Sequence, residues 1–140
     1  MIQRIQSIYL LLAAGASAAL FGEPFATAPT SQPEGLLQDG AFDISDHLGL
    51  MILAGLITAL ALGTIFLYKN RILQMNLGKL NIVLLVALLV FSAYLYFTIQ
   101  VATNFGAGLV LPLLVFIFIF LANRNIYKDE RLVRSADRLR

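Results

Sequence analysis

The sequence predicts an all-α integral membrane protein, a four-helix antiparallel bundle whose fourth helix extends into the cytoplasm. Three observations lead there. The 140 residues are 59% apolar with a mean hydropathy of +0.83, above the roughly 45–50% apolar share of soluble domains. The apolar residues gather in four runs, Ile5–Phe21, Leu48–Tyr68, Leu80–Val101 and Ala107–Ala122, none with Asp, Glu, Lys, Arg or His in its interior. The 13% of residues that are charged lie between and beyond these runs, as ionised groups must when the solvent is hydrocarbon.

Each run approaches the length that, at about 1.5 Å rise per residue, crosses a hydrocarbon core of about 30 Å. Helix is the conformation that bonds every backbone N–H and C=O inside such a run, and the alternation of a strand is absent. Helices are therefore expected over about 3–22, 47–69, 79–101 and 107–138. Met1–Gly22 also has the outline of a secretory signal peptide, but its best cleavage triplet, Ala26-Thr27-Ala28, is followed by Pro29, which disfavours cleavage. The first run is accordingly read as a retained helix. An external loop spans 23–46. Pro24, Pro29 and Pro33 make its first half extended or irregular, and Phe42, Ile44 and Leu48 lay its second half back on the bundle. The third and fourth helices are joined by a short turn over 103–108, and Pro112 falls in the first turns of helix four, where a missing N–H costs least. A cytoplasmic tail follows over 123–140. Within it Glu130 and Arg134 form an i,i+4 pair in the favourable order.

The charges orient the bundle. All ten basic residues fall on one side, with Arg4 before the first run, Lys69, Arg71 and Lys79 between the second and third, and Arg124, Lys128, Arg131, Arg134, Arg138 and Arg140 after the fourth. The other side carries Glu23, Glu34, Asp39, Asp43 and Asp46. By the positive-inside rule the protein is a multi-pass inner-membrane protein with both termini in the cytoplasm. Because the charges are segregated, the net charge of +2 and pI near 9.2 describe topology and give no reason to expect nucleic acid. With no cysteine there is no disulfide framework, thiolate metal site or cysteine nucleophile.

Four groups of residues invite a role. Asp46 and His47 can relay protons or bind a metal, but one His with one or two carboxylates falls short of a zinc ligand set; capping of helix two by Asp43, Ser45 or Asp46 is the favoured reading. Ala14, Ala18 and Gly22 in helix one, and Gly55, Ala59 and Gly63 in helix two, recur at every fourth position, a spacing that lets helices approach closely in lipid. Packing of the two helices on each other is favoured over a docking face for another subunit. Asn81, Ser92, Tyr94, Tyr96, Thr98 and Gln100 can line a path, but no ionisable group lies inside any run, which disfavours transport. Arg124, Lys128, Arg131, Arg134, Arg138 and Arg140 can contact anionic lipid or a cytoplasmic partner, since each cation near the leaflet contributes roughly 1 kcal/mol of attraction. No phosphate-cradling glycine loop, HExxH or GxSxG motif occurs, so no catalytic residue, metal or cofactor is expected.

The opening MIQRIQSIYLLLAA, the middle run YKNRILQMNLGKLNI and the ending LANRNIYKDERLVRSADRLR resemble an inner-membrane family of Bacteroidetes known as domain of unknown function 4293. The likeness spans nearly the whole chain and is most specific in the last twenty residues. It implies a four-helix membrane protein, brings no catalytic residues, and is expected to be weakest in the external loop. The function expected is that of a non-catalytic accessory or scaffold subunit, its partners membrane lipid and another inner-membrane subunit. The alternative is a small lipid- or quinone-handling protein with an apolar pocket lined by Phe91, Tyr94, Phe116 and Phe118. A small-molecule ligand is disfavoured, because Phe in apolar helices more often faces lipid or a neighbouring helix.

Overall fold

The computed structural model describes residues 3–29, 35–37, 39–68, 70–99 and 103–137. Four helices dominate: α1 (Gln3–Ala19), α2 (Leu48–Phe66), α3 (Arg71–Thr98) and α4 (Leu111–Asp137). Helix α1 packs on α2 and α4, and α3 packs on the same two. The core runs between them through Ala13 and Ala14 of α1, Leu50, Ala54, Ile57 and Ala61 of α2, Leu85 and Leu88 of α3, and Val115 and Ile119 of α4. These positions recur at three- and four-residue steps, so each helix buries one stripe and leaves the rest outward. The outward faces are also apolar: Ile52, Leu62, Val83, Val90, Leu113 and Phe120 are all exposed. Three helices, α2, α3 and α4, are long and apolar enough to cross a membrane, while the apolar stretch of α1, Ile5–Ala19, is shorter.

Helices α2 and α3 end about three residues before the limits expected, α4 begins at Leu111 after a 3-10 turn over Ala107–Leu109 and not at 107, and two limits differ more tellingly. Helix α1 ends at Ala19, not near 22, in a tightened turn where Leu20, Phe21 and Gly22 donate to the carbonyls of Ser17, Ala18 and Ala19. Helix α3 begins at Arg71, eight residues before position 79. Its cap is Asn70, whose Oδ1 accepts from the Leu73 N–H at 3.1 Å. Hydropathy marks where charge is excluded, and Arg71 and Lys79 are barred from hydrocarbon without being barred from a helix. Pro112 is the second residue of α4, where its absent N–H would have no intrahelical partner anyway.

A small sheet was not expected. Three two-residue strands, β1 (Ala26–Thr27), β2 (Ala41–Phe42) and β3 (Asn104–Phe105), lie in the order β2-β1-β3, both pairings antiparallel. Ala26 stands opposite Phe42 on one side and Phe105 on the other. The sheet gathers the end of α1, the start of α2 and the α3–α4 connection at one end of the bundle. Two glycines permit this. A Cβ on Gly106 would collide with the backbone carbonyl of Pro24, and one on Gly108 would come within 2.6 Å of the carbonyl oxygens of both Glu23 and Pro24. Both glycines donate their N–H across the gap, Gly106 to Phe25 O at 2.8 Å and Gly108 to Pro24 O at 2.9 Å.

Candidate functional site

The sheet end carries an apolar recess of about 400 Å³ between the strands and the last turns of α3. Phe25, just before β1, and Phe42 and Phe105 of the sheet face Leu89, Ala93 and Phe97 of α3 across it, with Ser92, Tyr96 and Leu109 completing the wall. Both hydroxyls in that wall are already engaged. Ser92 Oγ donates to Leu89 O at 3.0 Å, and Tyr96 Oη shares a 2.9 Å hydrogen bond with Thr103 Oγ1. The recess thus offers hydrocarbon and ring faces, and suits an alkyl chain better than a polar head. Of the residues expected to line a pocket, none lines this recess among those described: Phe91 packs edge-on against His47 at 4.9 Å, Tyr94 is exposed, and Phe116 stacks on Phe120. Sequence reasoning missed this lining because four of its nine residues, Phe25, Phe42, Phe105 and Leu109, come from connections whose pairing no periodicity announces.

The opposite end is polar inside. Gln6 of α1 donates its Nε2 to Asp129 Oδ2 of α4 at 2.6 Å, and both side chains are buried. Gln74 and Asn81, each 2% exposed, donate to the carbonyls of Thr64 and Ile57 on α2 at 3.0 and 3.2 Å. Between them on the same face is Gly78, whose missing Cβ leaves room for the Asn123 side chain of α4. The side-chain oxygens of Gln74, Asn81 and Asn123 are buried and meet no donor among the described residues. The spacing Gln74, Gly78, Asn81, at i, i+4 and i+7, was the available signal, because a polar stripe on an apolar helix points to a partner helix. Asp129 carried no such signal, lying among basic residues that read as a solvated tail.

At the mouth of α2, His47 is itself the cap. Its Nδ1 accepts from the Gly49 N–H at 3.0 Å, while Asp43 caps the short 3-10 turn Ile44–Asp46. Capping of α2 therefore falls to the histidine and not to the acids. Asp46 accepts from the Asp43 N–H at 2.7 Å. Burial raises its pKa from the ordinary 3.8, the Asp43 N–H opposes that rise, and the nearby charges of Asp43 and Asp39 add to it.

The small-residue stripes part company. Ala14 is buried in the core, but Ala18 and Gly22 are exposed. On α2, Ala59 and Gly63 are exposed and Gly55 is half-buried, and a Cβ added at Gly55 or Gly63 would meet nothing within 4 Å. The contact between α1 and α2 is made one position away. Ser17 Oγ lies 2.8 Å from Thr58 Oγ1 and 3.4 Å from Ala54 O, beside buried Ala13, Ala54 and Ala61. The expectation that Gly55, Ala59 and Gly63 pack α2 on α1 is thus corrected: a helix wheel gives two adjacent small-residue stripes, and burial selects the other one.

On α4, Arg124, Lys128, Arg131 and Arg134 are exposed, and Arg134 Nε meets Glu130 Oε1 at 2.8 Å as the i,i+4 spacing predicts. Arg138, Arg140 and Gln100 lie outside the described residues. Ser92 and Thr98 turn their hydroxyls back on α3 carbonyls and line no path.

The family model for a domain of unknown function, DUF4293, matches residues 2–139. The chain belongs to this family. No curated protein and no solved structure matches it. Membership spans the four helices, the sheet and the whole basic face of α4, so the family and the fold cover the same length of chain.

Proposed function

We propose that this DUF4293 chain is a non-catalytic accessory or scaffold subunit of an inner-membrane complex, an antiparallel four-helix bundle with both termini in the cytoplasm. The apolar outward faces support membrane insertion, with α1 crossing as the short fourth span by way of its tightened last turn. The charge distribution supports the orientation: Asp39, Asp43 and Asp46 stand at the sheet end, and Arg71, Lys79 and the basic face of α4 at the other. A reporter fused after Arg140 is expected to be cytoplasmic, and an external reporter overturns the topology.

The observation that carries the subunit reading is the uncovered stripe Gly55, Ala59, Gly63. A stripe of small residues on a lipid-facing surface lets a further helix approach closely, and in lipid that packing supplies much of the attraction. Because a Cβ added at Gly55 or Gly63 meets nothing within 4 Å, Gly55→Leu with Gly63→Leu is expected to block docking, with an unchanged melt in detergent showing that the fold is kept. Crosslinking in cells followed by purification in mild detergent is expected to recover a membrane partner with the wild type and lose it with the double variant. Recovery only as a free monomer sinks the reading.

The sheet-end recess favours a second reading, in which the protein holds a lipid tail. Ala93→Phe fills the recess from α3. Lipid extracted from the purified wild type but not from the variant would favour this reading; equal amounts from both would remove it.

A further inference from the structure

Helix α4 leaves the bundle with its charges sorted by face. Arg124, Lys128, Arg131 and Ser135 follow at i, i+4, i+7 and i+11, a single stripe, and Ala122, Ile126 and Asp129 on the opposite face are buried against the bundle. Two acids of the same segment are engaged elsewhere: Asp129 turns inward to Gln6, and Glu130 pairs with Arg134. Arg124, Lys128 and Arg131 form no ion pair among the described residues. Lys128, Arg131, Leu132 and Ser135 bound a recess of about 380 Å³ on this outward face. Ser135 Oγ donates to Leu132 O at 2.8 Å, so the positive potential of the recess comes from the lysine and the arginine.

Depth decides what such a recess meets. Counted from Ala107, the first residue of the apolar run, a rise of about 1.5 Å per residue puts Lys128 and Arg131 about 32 and 36 Å along, just past a hydrocarbon core of about 30 Å and among the headgroups. Leu132, exposed beside the two cations, gives the same surface an apolar margin. We propose that the recess holds the phosphate of an anionic phospholipid of the cytoplasmic leaflet. Arg131 supplies a planar fork of donors and Lys128 a compact point charge to the phosphate oxygens, and Leu132 lies along the upper acyl chain. An acidic soluble partner would have to reach the same groups through the headgroup layer. The site rests on the membrane reading above and on charge complementarity with the anionic leaflet.

The test uses the full chain purified in mild detergent, with phosphatidylglycerol or phosphatidylcholine added and bound lipid read by native mass spectrometry. The wild type is expected to retain phosphatidylglycerol in preference. With about fivefold per cation, Lys128→Gln with Arg131→Gln lowers that preference about 25-fold. Arg71→Gln with Lys79→Gln, an equal change of charge at the same end of the bundle, keeps it. Equal retention of both lipids by the wild type overturns the proposal, as does an equal loss in the α3 double variant, which would mean diffuse attraction without a site. Unchanged lipid preference in the Lys128, Arg131 variant together with loss of a copurifying acidic protein also overturns it. Recovery of the chain from cells without detergent would instead overturn the membrane reading, a separate outcome.

Discussion

At the sheet end of the bundle, Phe25, Phe42 and Ala26 are buried around backbone hydrogen bonds, and glycines at 106 and 108 let one strand connection lie directly on another. At the other end the same four helices are joined through side chains: Gln6 to Asp129, Gln74 to Thr64, Asn81 to Ile57, with Asn123 lodged against Gly78. The difference follows from what each end must satisfy. Chain that leaves a helix has free N–H and C=O groups, and here it pairs them with the nearest other chain as a sheet. Where the helices continue unbroken their backbones are already paired, and specificity between apolar faces falls to buried amides and one carboxylate.

The sheet end should be the more easily broken by one methyl group. Gly106→Ala and Gly108→Ala force backbone apart and are expected to cost about 2–3 kcal/mol each, read as a lower unfolding midpoint in detergent by circular dichroism. Gly63→Ala, with open space around its Cβ, is the contrast, and should be neutral or gain up to about 1 kcal/mol from helix propensity.

At the amide end, Asp129→Ala leaves the Gln6 amide buried without its acceptor and should cost about 1–3 kcal/mol by the same measurement. Replacing both partners, Gln6→Leu with Asp129→Leu, should recover much of that loss, because an apolar pair leaves no group unsatisfied. If the double variant is no more stable than Asp129→Ala, the pair does more than satisfy itself.

A smaller effect is expected from Asn81→Leu, at or below about 1 kcal/mol. One hydrogen bond to Ile57 O is lost, but an acceptor that had no donor is removed with it.

The smallest effect belongs to Asp46 and depends on pH. Its folded-state pKa is raised by burial, so the folded chain holds this proton more tightly than the unfolded chain. The carboxyl therefore favours the fold at acid pH, and that contribution is lost as pH rises from below 3.8 through the raised value. Asp46→Asn keeps an oxygen for the Asp43 N–H and cannot ionise. Its stability relative to wild type should rise between about pH 3 and pH 7, in paired melts across that range; a constant difference would mean that the carboxyl is not held above its ordinary value.

Much of the helical frame was legible because long apolar runs without charge are written locally in the sequence. The cap at Asn70 and the pair Glu130–Arg134 were equally local, although the first carries no charge to mark it. The candidate sites were less legible. A stripe such as Gly55, Ala59, Gly63 and its neighbour Ala54, Thr58, Ala61 differ by about 100° on one helix, and nothing in α2 itself says which meets α1.

The sequence by itself determined the four helices, the family, and the segregation of charge, because each rests on residues a few positions apart or on the solvent each residue tolerates. Only the tertiary structure decided which face of each helix is buried, that Asp129 turns inward to Gln6 from 123 residues away, and that residues 26, 42 and 105 meet in one sheet. Those contacts join positions far apart in the chain, and their energy exists only once the helices have chosen their neighbours.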